Sequence, residues 1–284
     1  MEKIKQGIKI PSYIKCGLQL MEFLSPYLAM RVASYLFSVP YKFKISPKEI
    51  EEIEKRKKGF LHVPALNKSI CIYNWTGNGK NILLVHGWSG RGTSMYKIAQ
   101  ILNESGFNVI SFDAPAHGKS EGTTTGAPEF VQSINLLNNH FNGFYAIIGH
   151  SLATVPIFKC YNNLRGIEKI VTIGSVNKMI DIFENFTARL KLKKSTCDIM
   201  IKYLEKKFDV SVDSYAAEKM TEQIECKILM FHDKDDREIP IECSRILNKK
   251  LKNSKLIETT GLGHSRILKD MEVAEKIKTF ILEQ

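Results

Sequence analysis

Ser151 has a sequence setting that could make its hydroxyl a nucleophile. It follows a short apolar run, Phe-Tyr-Ala-Ile-Ile at 144–148, and Gly149-His150, and a helix-like pattern continues to Lys159. A buried strand that turns sharply into a helix lifts the side chain at its apex out of the sheet. The small residues Gly149 and Ala153 allow the backbone to pass closely there. The pentapeptide therefore matches the G-x-S-x-G nucleophile elbow, with alanine in the last place.

A serine hydroxyl is a poor nucleophile when neutral, so Ser151 needs a base, and the base needs an acidic partner. His264 lies on the glycine-rich loop 260–266 after the last predicted strand, from which an imidazole can reach back over the elbow. We predict that His264 is the general base, although the residue taken alone would pass for a solvated loop histidine. The other histidines lie in glycine-flanked turns (His86, His117), inside the elbow (His150), or on segments without special turn chemistry (His62, His140, His232).

The acidic partner should lie on a loop after a strand, between Ser151 and His264 in the chain. The segment 231–240 offers Asp233, Asp235 and Asp236. Asp233 and Asp235 suit turn formers and solvated charges. Asp236 stands four residues before Pro240, in a D-x-x-I-P arrangement, and is favoured over Asp235.

Two backbone N–H groups aimed at one point would form an oxyanion hole. Leu152 follows the predicted nucleophile at a helix start, where amides lack helical partners. Trp88, just after His86-Gly87, can offer the second amide from a facing loop, although His86-Gly87-Trp88 alone is also an ordinary turn.

The elements that must position these groups alternate between strand and helix. We predict strands at 69–75, 81–86, 108–112, 144–148, 166–174, 227–231 and 255–259, and helices at 94–102, 127–141 and the C-terminus. This order predicts an α/β fold with a largely parallel sheet, helices on both faces and ligands at the carboxyl ends of the strands.

Residues 177–222 interrupt the alternation with a long, charged, helix-like stretch. It is too long for a simple crossover, so we predict a helical cap over the elbow. The predicted organisation is an N-terminal helical arm (1–58), a core in two parts (59–176 and 223–284) and the cap (177–222).

The N-terminal arm is basic and amphipathic. Lys3, Lys5 and Lys9 precede apolar residues, but Lys15, Gln19, Glu22 and Arg31 interrupt every candidate membrane span, and no cleavage site of the A-x-A type follows. Two helical stripes are predicted, one with Ile14, Leu18, Met21 and Leu24 and one with Leu28, Val32 and Phe37. We expect helices that lie on the core, with weak peripheral contact to a membrane surface as the alternative. The mixed charges at 48–58 suggest a solvated helix or linker.

Composition and missing motifs limit the other classes of protein to which the chain could belong. The 284 residues suffice for one large domain, and six cysteines without C-x-x-C pairs predict free thiols in the cytoplasm. The net charge of +11 is spread over many segments without a nucleic-acid-binding motif, so no nucleic-acid partner is expected. Gly118-Lys119-Ser120 lacks the leading glycine of a P-loop, and neither G-x-G-x-x-G after a strand nor H-E-x-x-H is present, so no metal or dinucleotide cofactor is expected.

Together the motifs resemble the α/β-hydrolase superfamily over residues 70–284. The matching residues, in family order, are His86-Gly87, Asp113-x-Pro-x-His-Gly-x-Ser120, Gly149-x-Ser151-x-Ala153, Asp236-x-x-Ile-Pro240 and Gly263-His264. The resemblance implies an eight-stranded, mostly parallel sheet, a Ser151-Asp236-His264 triad and no cofactor. Within the superfamily the chain looks like capped bacterial hydrolases and serine-peptidase-like esterases. Ala153 and Thr154 depart from the usual small residues, which puts the elbow's surroundings and its activity in question.

The predicted activity is hydrolysis of a carboxylic ester, or of an amide or thioester, through an acyl-enzyme on Ser151. The main alternative keeps the fold as a non-catalytic or very slow ligand-binding protein. Haloperoxidase-like or carbon–carbon cleaving chemistry on the same triad is a third hypothesis. The substrate and the oligomeric state stay open.

Overall fold

The computed structural model describes residues 10–283, and an eight-stranded sheet forms their centre. The strands are β1 (Lys57–Val63), β2 (Lys68–Trp75), β3 (Asn81–Val85), β4 (Asn108–Phe112), β5 (Ala146–His150), β6 (Lys169–Ile173), β7 (Lys227–Asp233) and β8 (Ser254–Thr259). Their order across the sheet is β1-β2-β4-β3-β5-β6-β7-β8. The eight-stranded, mostly parallel sheet predicted from the resemblance is confirmed.

Only the first two strands pair antiparallel. β1 pairs with β2 and β2 with β4 in antiparallel register, and every later pairing is parallel. β3, β5 and β7 contain continuous apolar runs, and β5 and β6 are buried along their whole length, as strands covered on both faces require. Their carboxyl ends therefore meet at one edge, where the predicted site residues follow them.

Eleven α-helices surround the sheet. They are α1 (Ser12–Leu24), α2 (Pro26–Ser38), α3 (Pro47–Glu54), α4 (Tyr96–Glu104), α5 (Ala127–His140), α6 (Thr154–Cys160), α7 (Met179–Arg189), α8 (Lys194–Phe208), α9 (Glu242–Lys250), α10 (Gly263–Arg266) and α11 (Met271–Leu282) within the described residues. One core layer packs α5, α6 and α9 against the sheet, and the other packs α3, α4 and α11. Both faces of the sheet are thus covered, as predicted.

The N-terminal arm folds into the helix pair α1 and α2, which pack against each other, and α2 packs against α8. Leu18 is buried and Ile14 and Met21 pack on the core, as the first stripe predicts. Leu24 and Leu28 were assigned wrongly to the buried stripes, because they are 73 % and 50 % exposed. Lys3, Lys5 and Lys9 lie outside the described residues.

The segment 48–58 is not one solvated helix or linker. Most of it belongs to α3, whose Ile53 is buried, and the rest starts β1 at Lys57. Ser46 caps α3 by accepting a hydrogen bond from the Glu49 amide. The start of β1 was not predicted, because β1 is an edge strand and its first two residues are exposed lysines.

The segment 177–222 lies between β6 and β7 and contains α7, α8 and three short 3-10 helices. Apolar residues of both helices, among them Phe183, Met200 and Leu204, join the core layer that contains α1 and α2. The two helices and the N-terminal pair therefore share one apolar interior above the carboxyl edge of the sheet.

Candidate active site

Ser151 occupies a sharp turn between β5 and α6. Its φ of 55° lies in the left-handed region, which a residue with a β-carbon adopts at a cost. A short 3-10 helix, Ser151–Ala153, begins at this residue and leads directly into α6. The strand–turn–helix geometry expected for the elbow is present, and it directs the Ser151 side chain towards the loops at the strand ends.

Ser151, His264 and Asp236 form one chain of hydrogen bonds. Ser151 Oγ lies 3.0 Å from His264 Nε2, and His264 Nδ1 lies 2.6 Å from Asp236 Oδ2. Because an ionised carboxylate only accepts, His264 Nδ1 carries the hydrogen and Nε2 is free to accept the serine proton. His264 lies 113 positions after Ser151 in the chain, and Asp236 lies 85 positions after it. The three side chains nevertheless meet at one edge of the sheet.

Asp236 is held in its ionised form. Its side chain is 1 % exposed. Burial alone would raise the pKa of Asp236, but hydrogen bonds from His232 and His264, the charge of His264 and the Ile239 amide outweigh it and lower that pKa. The Glu238 and Ile239 amides donate to Oδ1 at 2.8 and 2.9 Å, which leaves Oδ2 for His264.

His232 belongs to this site, and its assignment to a segment without special turn chemistry was wrong. Its Nε2 lies 2.9 Å from the Ile239 carbonyl and 3.4 Å from Asp236 Oδ2. A carbonyl can only accept, so Nε2 carries the hydrogen, and Nδ1 accepts from the Ser244 hydroxyl at 2.7 Å. His232 therefore supports the loop that carries Asp236. Its position at the end of β7, beside the aspartates, was the available signal.

His264 is nearly as buried as its partner, with 8 % of its side chain exposed. Burial alone would lower the pKa of His264, but the hydrogen bond to Asp236, the charge of Asp236 and that of Glu238 raise it above its ordinary value. The carboxylate thus both orients the ring and stabilises the imidazolium that forms when His264 takes a proton.

Asp233 and Asp235 fasten the loop that precedes His264. Asp233 Oδ2 accepts from the Thr259 hydroxyl at 2.7 Å and from the Leu262 amide at 3.1 Å, and Asp235 Oδ2 accepts from the Gly261 amide at 2.8 Å. The expectation of solvated charges was wrong for Asp233, which is 1 % exposed. Both carboxylates hold the His264 loop against the Asp236 loop.

The loop that carries Trp88 lies directly against the elbow. A β-carbon at Gly87 would come within 2.9 Å of Ser151 Cβ and 3.0 Å of the His150 carbonyl oxygen, so only glycine fits there. Trp88 and Leu152 both line the cavity in which Ser151 lies. The two predicted oxyanion-hole residues are therefore brought to the same cavity as the predicted nucleophile.

His86 and His117 support the Trp88 loop from behind. His86 Nε2 accepts from the Ala114 amide and His117 Nε2 accepts from the Ser89 amide, both at 3.0 Å. Burial lowers the pKa of both rings, so they remain neutral and retain these acceptor nitrogens. Asp113, fully buried, accepts from the Gly92 amide at 2.7 Å and from the Tyr73 hydroxyl at 2.9 Å. The D-x-P-x-H-G-x-S segment thus shapes the site's other wall.

Gly174, at the end of β6, was not singled out from the sequence. Its φ is +63°, and a β-carbon there would lie 3.3 Å from His264 Nδ1 and 3.5 Å from Asp236 Oδ2. The missing side chain therefore leaves room for the His264–Asp236 pair. A glycine directly after a buried parallel strand was the only sequence signal.

The site opens into a cavity of 1150 Å³. Ser151 and His264 lie on its wall with the loop 86–91, and α7, α8 and the N-terminal segment complete it. Phe37 from α2 packs against Trp88, Phe183 and Phe186, with ring centroids 5.8, 4.8 and 5.1 Å away. The cavity is therefore largely aromatic and aliphatic around a small polar centre, as sites for apolar ligands are.

The two residues that depart from the usual elbow pattern, Ala153 and Thr154, are fully buried. A β-carbon at Gly149 would lie 3.2 Å from Ala153 Cβ, so the methyl group of Ala153 fills the space next to Gly149. Within residues 10–283, no group of three or more His, Cys, Asp or Glu side chains is placed to hold a metal ion.

Comparisons with known proteins agree with this architecture. The family model described as alpha/beta hydrolase fold matches residues 80–196. An esterase from Exiguobacterium antarcticum is similar with a TM-score of 0.62 at 18% identity, over 80% of this chain and 100% of that one. An esterase from Pyrococcus furiosus is similar with a TM-score of 0.61 at 18% identity, over 86% of this chain and 96% of that one. A bromoperoxidase from Bacillus anthracis is similar with a TM-score of 0.60 at 18% identity, over 80% of this chain and 100% of that one.

No sequence among curated proteins matches the chain. At these identities the structural likeness establishes the fold, and the resemblance predicted from the sequence motifs is confirmed at that level.

Proposed function

This chain has the α/β-hydrolase fold, and we propose that it is a serine hydrolase that cleaves carboxylic esters through an acyl-enzyme on Ser151. The observation that carries the proposal is the continuous hydrogen-bond chain from Ser151 Oγ through His264 to Asp236, at 3.0 and 2.6 Å. A hydroxyl, an imidazole and a carboxylate in this order are the parts that acyl transfer needs.

In the proposed first step, Ser151 Oγ attacks the carbonyl carbon of the ester while His264 Nε2 takes the hydroxyl proton. The negative charge that develops on the carbonyl oxygen is stabilised by the backbone N–H groups of Trp88 and Leu152. His264 then gives its proton to the departing alkoxide, the alcohol leaves, and the acyl group stays on Ser151.

In the second step, water attacks the acyl-enzyme with His264 again as base. The carboxylic acid leaves, and the Ser151 hydroxyl is restored. Asp236 remains ionised throughout, since its pKa is held low. The proposed substrate is a small molecule with an apolar acyl or alcohol part, because Phe37, Trp88, Phe183 and Phe186 surround the cavity near Ser151. No bound cofactor is required for these steps, and no nucleic-acid partner is proposed.

Labelling with a fluorophosphonate probe tests the proposal, since the probe reacts only with an activated serine. Wild-type protein should be labelled and Ser151→Ala should not. Ser120→Ala is the matched control, because Ser120 is hydrogen-bonded to Asp113 and Cys71 away from His264. Wild type that stays unlabelled, or Ser151→Ala that is labelled equally, would contradict an activated Ser151.

A series of p-nitrophenyl esters of increasing acyl length then tests the substrate class. We expect kcat/KM to rise from acetate to medium or long chains, since each buried methylene contributes about 0.8 kcal/mol. A flat series would count against binding of the acyl chain in this cavity.

The size of the cavity also favours a second candidate, a protein that binds an apolar ligand without turning it over. In that case a fatty acid or ester would raise the melting temperature of wild type and Ser151→Ala equally, and no ester would be hydrolysed.

A further inference from the structure

The N-terminal arm exposes an unusual amount of apolar surface. Eleven of the seventeen large apolar side chains that are exposed in the described part of the chain lie between Tyr13 and Ile45. Single exposed apolar residues are ordinary, but a cluster of this kind marks an interaction surface. We call it the arm face; its members are Tyr13, Leu20, Phe23, Leu24, Tyr27, Leu28, Tyr35, Leu36, Tyr41, Phe43 and Ile45.

On α1 the arm face is one helical stripe. Tyr13, Leu20 and Phe23 are spaced by seven and three residues, so they point the same way. They are 77 %, 62 % and 81 % exposed, and Tyr27, in the first turn of α2, is 59 % exposed. The opposite side of α1, through Leu18, packs on the core. α1 therefore has two apolar sides. Within the described residues, only the side that carries Leu18 packs against the rest of the protein.

The arm face leads to the mouth of the cavity. Leu36, Tyr41 and Phe43 belong to the arm face and also line the cavity that contains Ser151. The segment after α2 crosses the Trp88 loop, where the Tyr41 amide donates to Ser89 Oγ at 2.9 Å and Arg91 Nη1 donates to the Phe43 carbonyl at 3.1 Å. Whatever covers the arm face thus also meets the entrance to the site.

The charge on this part of the surface has one sign. Between residues 10 and 48 the basic residues are Lys15, Arg31, Lys42, Lys44 and Lys48. The only acidic residue in that range, Glu22, is buried and accepts from the Lys193 amide at 2.8 Å and the Thr196 hydroxyl at 2.6 Å. Residues 10–48 therefore present apolar side chains and cations, and no exposed carboxylate.

We propose that the arm face docks on an anionic lipid bilayer, with α1 and α2 lying in the interface, and that the site draws an amphiphilic acyl lipid from that surface. Apolar side chains bordered by cations suit the acyl boundary below anionic headgroups. A second copy of the chain fits less well, since two faces with the same positive charge would repel each other. No helix among residues 10–283 has the length and apolar character to cross a membrane.

The substrate part of this inference rests on the proposed function, whereas the docking does not. Sedimentation with vesicles of phosphatidylcholine, with and without phosphatidylglycerol, measures docking alone. Wild type and Ser151→Ala should bind the anionic vesicles equally, and added NaCl should weaken binding. Failure of fluorophosphonate labelling together with normal vesicle binding would overturn the hydrolase and keep the docking; the reverse result would overturn the docking alone.

The variant Leu20→Ser, Phe23→Ser, Leu24→Ser removes three arm-face residues that do not line the cavity. We expect binding to anionic vesicles to fall by about tenfold or more, because exposed apolar area is what inserts. Phe60→Ser is the matched control, since Phe60 is 64 % exposed on the edge strand β1 and is not part of the arm face. It should bind as wild type does.

Thermal unfolding and turnover of the soluble ester p-nitrophenyl acetate show whether the variants remain folded. If the triple variant does not fold, Phe23→Ser alone, at the most exposed of the three positions, replaces it. The docking is overturned if wild type does not sediment with anionic vesicles, or if Phe60→Ser weakens binding as much as the arm variants. It is also overturned if light scattering shows a dimer that the arm variant splits, because a second copy would then be the occupant.

Discussion

His150 Nε2 lies 3.0 Å from the backbone carbonyl oxygen of His264. The carbonyl accepts, so His150 donates, and the residue before the predicted nucleophile thereby holds the loop of the predicted base. The two rings also pack together, with centroids 4.6 Å apart. Burial and the charge of His264 lower the pKa of His150 to about 3, so the ring stays neutral and keeps its donor role through the neutral pH range.

His150→Ala should lower kcat by about ten- to a hundredfold with little change in KM, because a small displacement of a catalytic group has costs of this order. His150→Gln, which retains an N–H donor, should recover part of the loss. Steady-state kinetics with a soluble p-nitrophenyl ester measure both variants. Unchanged kcat in His150→Ala would show that the His264 loop is held without this bond.

The pH dependence of kcat/KM should follow the protonation of His264. Only the neutral ring can take the Ser151 proton, and the pKa of His264 is raised above 6.5. Activity should therefore be complete at pH values above the raised pKa and be lost as the pH falls through it. A pH–rate profile from pH 5 to 9, with enzyme stability checked at each pH, measures the acid limb, which is the pH range over which this activity is lost. An acid limb well below pH 6.5 would contradict the coupling between His264 and Asp236.

Asp236→Asn removes the charge that raises the pKa of His264 while keeping the size of the side chain. We expect kcat to fall by about three to four orders of magnitude, the size of effect known for loss of this partner in serine proteases. The acid limb of the residual activity should also move to lower pH, because burial of His264 is then opposed only weakly.

Asp235→Asn is the matched control for Asp236→Asn. Asp235 lies one residue away, and its Oδ2 accepts from the Gly261 amide. The control should keep most of the activity and the position of the limb. Equal losses in both variants would assign the effect to the loop and not to the charge beside His264.

Gly174→Ala should lower kcat by about tenfold or more, since its β-carbon would lie 3.3 Å from the His264 ring, which is closer than ordinary van der Waals contact. Gly106→Ala controls for backbone strain, because Gly106 also has a positive φ, +94°, but its β-carbon would meet open space. Kinetics and thermal unfolding separate the two effects. Both variants should lose stability, and only Gly174→Ala should lose activity in excess of it.

The sequence predicted the parts of this molecule that depend on local pattern. The continuous apolar runs around Leu83 and Ile148 predicted buried parallel strands, and the step from β5 into α6 predicted the turn at Ser151. These features are encoded by neighbouring residues, because strand burial and turn geometry need no distant partner. Chain order and a loop after the last strand also selected His264, and the D-x-x-I-P spacing before Pro240 favoured Asp236 over Asp235.

The supports of the site could not be predicted in the same way. His150, His232 and Gly174 act through the backbone or side chains of residues 4 to 114 positions away. Their own neighbours in the sequence carry no sign of those contacts. The same holds for the N-terminal arm, where the helices were predicted but Leu24 and Leu28 were placed on the wrong side. Both sides of α1 are apolar, so periodicity alone does not distinguish the packed side from the exposed one.

The Glu22 carboxylate binds the N-cap residue of α8, Lys193, which lies 171 positions later in the chain. It accepts from the Lys193 amide at the start of α8, where a negative charge stabilises the unpaired N–H groups of a helix. The Lys193 amide therefore has this partner only while α1 is docked. One carboxylate thus couples the beginning of the chain to the helix pair that lines the cavity of Ser151.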